Sequence, residues 1–334
     1  GCGEAFGPAH TLARFIETIC APLVIGKDPF NTEAIWDSIY RPYKQNSQKG
    51  LLSEALSAVD IALWDIKGKA TGQPVHNLLG GAFRDKAHAY ATGLYRPQGD
   101  DPKKALVDEA MGYKEAGFFA MKYKIGTVSM EEDLEILSAI RNAIGWDIKL
   151  MVDANCAYDI ADALWLARKM EPLDIYWFEE PVPPEDLEGY AELKNATTIR
   201  IAGGECEMTR FGFKSLISRR CVDILQPDVC ICGGFTEFQK IVAMASAWNT
   251  QVIPHVWGTN VAIAAALHCY AAIPDIPGRI NAREPFFEFD RSPNPLREGA
   301  TFEKFTAVDS YIDIPKAPGL GVNVDRAFLE ANAD

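Results

Sequence analysis

The chain has 334 residues, with 33 basic against 46 acidic side chains and a formal net charge of −13. Hydrophobic residues make up 48% and aromatics 10%, which excludes a disordered chain, and the acidic balance excludes nucleic acid or an anionic membrane as the main partner. At about 150 residues per domain the length suggests two units, large enough to fold without staples.

Gly1-Cys2-Gly3-Glu4 has neither the basic head nor the apolar run of a secretory leader, and it lacks a Met. It reads as the interior of a domain. Eight cysteines, at 2, 20, 156, 206, 221, 230, 232 and 269, are spread thinly and fit reduced thiols in the cytoplasm. Cys230 and Cys232 form a C-x-C pair, but no second pair completes a zinc set, so they read as buried thiols.

The first 80 or so residues read as helical. Ala55, Leu56, Val59, Ala62, Leu63 and Ile66 recur at helical spacing, and Gly68 and Gly72 are expected to stop that helix. Beyond Gly80-Gly81 short apolar runs alternate with amphipathic helices. The expected strands are Ala87–Thr92, Phe119–Ile125, Ile148–Val152, Ile175–Phe178, Ile199–Ala202, Val222–Gln226, Gln251–Pro254 and Arg279–Arg283. Asp101-Pro102 marks one helix start, and Ser129 with Glu132 marks another as a capping box. Repeated strand–helix alternation implies parallel strands, and eight units imply an α/β fold of the closed TIM-barrel type. An open doubly wound sheet is the alternative, against which no glycine-rich dinucleotide fingerprint follows the first strand. Residues 241–274 lack Asp, Glu, Lys and Arg but are broken by polar residues, so they read as buried core and not as a membrane span. After Ser292-Pro293-Asn294-Pro295 the tail reads as a segment returning to the N-terminal part.

The ends of the expected strands carry the chemistry. Lys122 and Lys124 end the second, Asp153 with Asn155 follows the third, Glu179-Glu180 the fourth and Glu205 the fifth. Asp228, His255 and Glu284 follow the sixth, seventh and eighth. Asp153, Glu179 and Glu205 are spaced 26 residues apart, one strand–helix unit each. Residues at the same end of successive strands converge at the barrel mouth, where barrel enzymes hold their sites. Three carboxylates meeting there repel unless a cation joins them, and oxygen ligands favour Mg2+, with Mn2+ as the substitute, over zinc. Neighbours on a strand point oppositely, so only one of Glu179 and Glu180 is expected at the metal. Cys156 and Cys206 lie next to these ligands in sequence but suit Mg2+ poorly, and read as packing. Lys122 and Lys124 share a face, where desolvation and the neighbouring ammonium are expected to lower a lysine into the range of a general base. Asp228 behind His255 would fix the imidazole tautomer. Any one of these residues alone is more often an ion pair or a cap; the joint pattern is the argument.

On the lysine pair, the Asp153–Glu179–Glu205 set and the Asp228–His255 dyad, the chain resembles the enolase superfamily, in its mandelate racemase and muconate lactonizing branch, and within that the mandelate racemase subgroup. The resemblance implies a (β/α)7β barrel over 85–284, a partial α+β capping domain over 1–84 that lacks its N-terminal part, and a C-terminal segment over 285–334 returning to the cap. It implies a Mg2+-dependent enzyme working as a homo-oligomer on a small carboxylate. Lys124 would be the base and Lys122 would polarise the carboxylate. Glu284 would donate to the enolate oxygen, and Asn155 would lie near the second oxygen. The segments Pro254-His255-Val256-Trp257-Gly258-Thr259 and Glu288-Phe289-Asp290-Arg291 are similar to those of aldarolactone cycloisomerases and acid-sugar dehydratases. Dehydration of an acid sugar is the expected reaction, with cycloisomerisation or racemisation as alternatives; a non-catalytic, metal-stabilised binding protein is the alternative of another class. Gln45, Asn46 and Lys49, on a polar loop, are expected to meet distal hydroxyls, and Trp257 is a further candidate contact.

Overall fold

The computed structural model describes residues 1–278, 280 and 284–333. Eight parallel strands follow the chain: β1 (Lys86–Thr92), β2 (Ala120–Lys124), β3 (Lys149–Asp153), β4 (Ile175–Glu179), β5 (Arg200–Gly203), β6 (Ile224–Leu225), β7 (Gln251–Val252) and β8 (Phe287–Asp290). The strand order is β7-β6-β5-β4-β3-β2-β1-β8, so the sheet curls until β8 lies beside β1, with Ala89 opposite Phe287 and Thr92 opposite Asp290. Helices separate all eight strands, giving the (β/α)7β form of a TIM-type barrel.

The start signals work as their chemistry predicts. The Asp101 carboxylate accepts from the Lys104 N–H at 2.9 Å ahead of Pro102, and the Ser129 hydroxyl accepts from the Glu132 N–H at 3.2 Å. Gly72 ends its helix in the left-handed conformation, but Gly68 does not interrupt it, and the helix runs Leu51–Thr71. Gly68 is instead a packing glycine: a Cβ there would stand 2.6 Å from Gly319 Cα. That contact draws the C-terminal segment onto the helix, where the Leu320 N–H donates to Asp65 at 2.9 Å. Before it, β9 (Tyr311–Asp313) pairs antiparallel with the start of β1.

The eighth strand is displaced from its expected place. Of the expected span, Arg279 and residues 281–283 lie outside the described residues, and the strand that joins β1 is Phe287–Asp290. The alternation Phe287-Glu288-Phe289-Asp290 suits a wall strand with one face in the barrel and one against the helices. The stretch expected to begin the C-terminal segment therefore opens with the closing barrel strand.

Ahead of the barrel, the helices Ala9–Phe15, Thr32–Tyr43 and Leu51–Thr71 pack around Leu12, Ile35, Trp36, Ile39, Leu52 and Leu56. Helix Leu51–Thr71 is bonded to the barrel near the start of Gly234–Ala247. Ser53 donates to the Ile231 carbonyl at 2.8 Å, Asp60 accepts from the Thr236 N–H at 2.9 Å, and Trp64 donates to the Thr236 hydroxyl at 2.9 Å. The uncharged stretch after residue 241 includes the helix Asn260–Ala272, buried over nearly its whole length. No helix among the described residues is long and apolar enough to cross a membrane.

His268 on that helix is fully buried; its Nε2 donates to the Leu320 carbonyl at 3.2 Å and its Nδ1 meets Nδ1 of His76 at 3.0 Å. Burial holds its pKa down to about 3. The unfolded chain therefore takes up a proton near the ordinary histidine pKa of about 6.5 that the folded chain refuses until about 3, so stability is full above that window and falls as pH drops through it. Urea unfolding between pH 7 and pH 4 should show wild type losing stability more steeply than His268→Gln, by up to about 1.4 kcal/mol per pH unit. Parallel curves would contradict this.

Candidate active site

The barrel interior is built in layers two residues apart. One layer is an apolar plug with a residue from or beside every strand: Tyr90, Ala120, Met151, Trp177, Ala202, Ile224, Ile253 and Phe286. Side chains alternate along a strand, so the residue two further on points the same way, one layer nearer the C-terminal mouth. Those residues are Thr92, Lys122, Asp153, Glu179, Gly204, Gln226, His255 and Glu288. At β5 the layer is held by glycine, with φ +121°, and the turn brings Glu205 into the site in its place.

The resulting cluster is dense and dry. Register sets Lys124 beside Asp153 and Asp153 beside Glu179. Lys122 is fully buried; its Nζ stands 2.6 Å from Glu179 Oε1, 2.8 Å from Glu288 Oε1 and 3.3 Å from Asp153 Oδ2. Lys124 Nζ donates to Asp153 Oδ2 at 2.5 Å and to Asn155 Oδ1 at 2.9 Å. His255 Nδ1 lies 2.7 Å from Asp228 Oδ2, and its Nε2 is 3.6 Å from Glu205 Oε2. The structure thus brings together all the strand-end residues proposed from the sequence except Glu284.

Glu284 precedes β8, so it sits at the opposite end of the barrel, 3.4 Å from His88 near the start of β1. The inward glutamate of β8 is Glu288. Its Oε1 also accepts from the Thr92 hydroxyl at 2.7 Å, and its Oε2 accepts from the Val256 N–H at 3.1 Å. The loop Gln45-Asn46 is exposed and does not line the cavity, and Lys49 is drawn aside by Glu207, Nζ to Oε1 at 2.7 Å. Trp257 does line the cavity, edge-on to Phe6 at 5.5 Å between ring centroids. That cavity, of about 610 Å3, opens above Lys124, Glu205 and His255, and Glu54, Tyr95 and Ser292 also line it. The helical reading placed Glu54 one residue before the apolar stripe but gave no reason to aim it at the barrel.

Charge decides which groups titrate. Burial raises Glu179 to about 8 and Glu205 to about 7, with neighbouring carboxylates adding to both. Burial pushes Glu288 upward too, but Lys122 and His255 outweigh it and hold it down at about 2. Lys124 departs from expectation: burial lowers it, yet Asp153 outweighs burial and holds the ammonium above the ordinary lysine range. Burial likewise opposes a charged His255, and Glu205 and the hydrogen bond that His255 donates to Asp228 prevail, raising it well above the usual histidine value.

The residues fit a hard divalent cation. Asp153, Glu179 and Glu205 each offer a carboxylate oxygen within 4.8 Å of the others. Glu205 Oε2 is buried with no hydrogen-bond partner among the described residues. An all-oxygen donor set of this kind suits Mg2+ or Mn2+. The cysteines adjoining these ligands depart from the packing expectation in one respect, since Cys206 is exposed and lines the cavity.

Residues 1–80 match the family described as the N-terminal domain of mandelate racemase and muconate lactonizing enzymes, and residues 105–328 match the family of enolase C-terminal-like domains. The chain belongs to the mandelate racemase and muconate lactonizing enzyme family of the enolase superfamily, a family of enzymes. It is 44% identical over 329 residues to the D-galactarolactone cycloisomerase of Agrobacterium fabrum, covering 98% of this chain and 86% of that one. It is 37% identical to the arabinonate dehydratase of Saccharolobus solfataricus, covering 99% and 86%. The crystal structure of the 3,6-anhydro-D-galactonate cycloisomerase from Zobellia galactanivorans superposes with a TM-score of 0.92 at 44% identity, covering 99% of this chain and 90% of that one.

Mn2+ binding, read by the loss of the free-ion electron paramagnetic resonance signal, should saturate the oxygen set at one ion per chain. Glu205→Gln should weaken it by more than about 10-fold, since even outer partners of a metal site contribute that much. Glu284→Gln should bind as wild type does. Equal affinities in all three proteins would remove Glu205 from the site.

Proposed function

We propose that this enzyme catalyses Mg2+-dependent β-elimination from an acid sugar, an aldonate or aldarate, beginning with removal of the proton α to the carboxylate. One observation carries the reading: an amine and a carboxylate-backed imidazole border the same cavity, beside three carboxylates close enough to share one cation. The unpaired cysteines support a cytoplasmic setting.

In this reading Asp153, Glu179 and Glu205 hold Mg2+. The ion would neutralise charge building on the substrate carboxylate, and by engaging Asp153 would loosen the pair that keeps Lys124 protonated. Lys122 adds fixed positive charge beside the enediolate. Asn155, 2.9 Å from Lys124, is placed to meet the second oxygen of that carboxylate. Lys124 takes the α-proton. The C–O bond at the β-carbon breaks, and the departing oxygen takes a proton from His255 Nε2, whose Nδ1–H is held by Asp228. Glu288 keeps Lys122 charged and in place. When the departing oxygen is a free hydroxyl, water leaves and the enol tautomerises to a 2-keto-3-deoxy acid.

A second reading differs in one bond. If the departing oxygen belongs to a ring, the same step opens the ring and the enzyme is a cycloisomerase. The two 44%-identical relatives named as cycloisomerases favour it over simple dehydration, which the 37%-identical relative supports. Racemisation would need His255 to return the proton to the same carbon. A non-catalytic binder has no use for Lys124 and His255 in this arrangement.

The test is incubation with Mg2+ and a panel of aldonates, aldarates, their lactones and anhydro-aldonates in deuterium oxide. A keto-deoxy product from an open-chain acid supports dehydration, and one from a lactone or anhydro acid supports ring opening. Lys124→Ala and His255→Ala should each lose at least about 100-fold in turnover, the scale of one general acid or base. Substrates unchanged and free of α-deuterium across the panel would overturn the reading.

Glu54 is the proposed contact for the distal hydroxyls, because it faces the cavity with no hydrogen-bonding side chain among the described residues. Glu54→Gln should raise KM for the preferred substrate several-fold with kcat little changed. A fall in kcat alone would reject that placement.

A further inference from the structure

Glu179 and Glu205 are each followed by a further potential metal ligand, Glu180 and Cys206, and the β3 loop adds a third, Cys156. Cys156, Glu180 and Cys206 offer two sulfurs and a carboxylate oxygen that all lie within 4.8 Å of one another. They come from the ends of β3, β4 and β5, the same three strands that supply Asp153, Glu179 and Glu205. Two ligand triads therefore share three loops, one made of oxygen alone and one dominated by sulfur.

We propose that Cys156, Glu180 and Cys206 form a second metal site, one that takes a soft or borderline divalent cation such as Zn2+. Thiolate selects such ions and discriminates against Mg2+, so the two triads sort ions by ligand softness. Zinc sits about 2.3 Å from sulfur and about 2.0–2.2 Å from carboxylate oxygen, so its tetrahedral ligands stand a little under 4 Å apart. Sulfurs and oxygen already within 4.8 Å need only a small closure.

The local backbone is built for this arrangement. Asn155, Cys156 and Glu180 all have positive φ, at 42°, 65° and 39°, a costly conformation for residues other than glycine. The Cys156 N–H donates to the Glu180 carbonyl at 2.8 Å, and the Glu180 N–H donates to the Ala202 carbonyl at 3.0 Å, so the ligand-bearing turns are tied to each other and to β5. Glu180 is 2% exposed, and the polar side chains against it are the thiols of Cys156 and Cys206. Cys206 is exposed, which gives an ion its entry and leaves a position for water. On ligation each thiol releases its proton to solvent, so binding is balanced without any oxidant.

The test uses Co2+ as a spectroscopic stand-in for zinc, in the presence of a reductant that does not chelate metals, and with Mg2+ in excess to occupy the oxygen triad. Wild type should develop a near-ultraviolet sulfur-to-cobalt charge-transfer band that saturates at one equivalent and is bleached by Zn2+. Cys156→Ser and Cys206→Ser should each abolish the band, and Glu180→Gln should raise the Co2+ concentration at half-saturation at least about 10-fold. Asp153→Asn should keep it, which separates this site from the oxygen triad and from any question of turnover. No band in wild type, or a band that survives in the double cysteine variant, would overturn the proposal.

Discussion

Everything at the mouth of this barrel depends on an imbalance of buried charge. Asp153, Glu179, Glu205 and Glu288 bring four carboxylates; Lys122 and Lys124 bring two ammonium groups; Asp228 and His255 can balance each other. Four against two leaves a deficit of two positive charges, the amount a divalent cation supplies. The lysines reach into the triad, with Lys122 shared among three carboxylates and Lys124 held by Asp153. Removing either partner of a buried ion pair leaves a charge uncompensated at a cost of about 3–5 kcal/mol. Burial pushes Glu179 and Glu205 toward neutrality, and a divalent cation beside them would favour their ionised forms.

The fold creates that imbalance by simple geometry. Each strand or the residue flanking it contributes one apolar residue to the plug, and the same period of two then brings the next inward residue to the mouth. There is no room to choose which strands point inward, only which residue types stand at those positions. Where a carboxylate is needed off that period, at Glu205, the chain inserts Gly204 in a conformation that glycine adopts freely and other residues rarely do. The seam between β7 and β8 is joined by the site itself, since Val256 donates its N–H to Glu288. Loss of Glu288 would thus disturb both Lys122 and the barrel wall.

Much of this was legible in the sequence because parallel strands and long helices leave strong periodic traces. Seven of eight strands, the Asp101 and Ser129 helix starts and the spacing of Asp153, Glu179 and Glu205 were of that kind. The eighth strand was misplaced because Glu284 follows the expected run 279–283, whereas the plug rule identifies Glu288: it stands two residues after Phe286, as Asp153 does after Met151. The pairing of Lys124 with Asp153 was not legible, because sequence shows which groups are near in the chain but not that Asp153 would face the amine at 2.5 Å. Lys49 and Glu54 were beyond reach for another reason. Both lie on the cap, whose seating on the barrel is set by tertiary contacts such as Ser53 to Ile231 and Trp64 to Thr236, and no local pattern records those. Cys156 and Cys206 were set aside as packing because thiols suit Mg2+ poorly; only the fold reveals that they meet over Glu180.

A crystal structure of the chain with Mg2+ and an acid-sugar substrate or product bound tests the central claim most directly. The account predicts one ion about 2.0–2.1 Å from an oxygen of each of Asp153, Glu179 and Glu205, the ligand carboxylate on that ion, and its α-carbon between Lys124 Nζ and His255 Nε2. An ion held by other residues, or an α-carbon out of reach of both nitrogens, would contradict it.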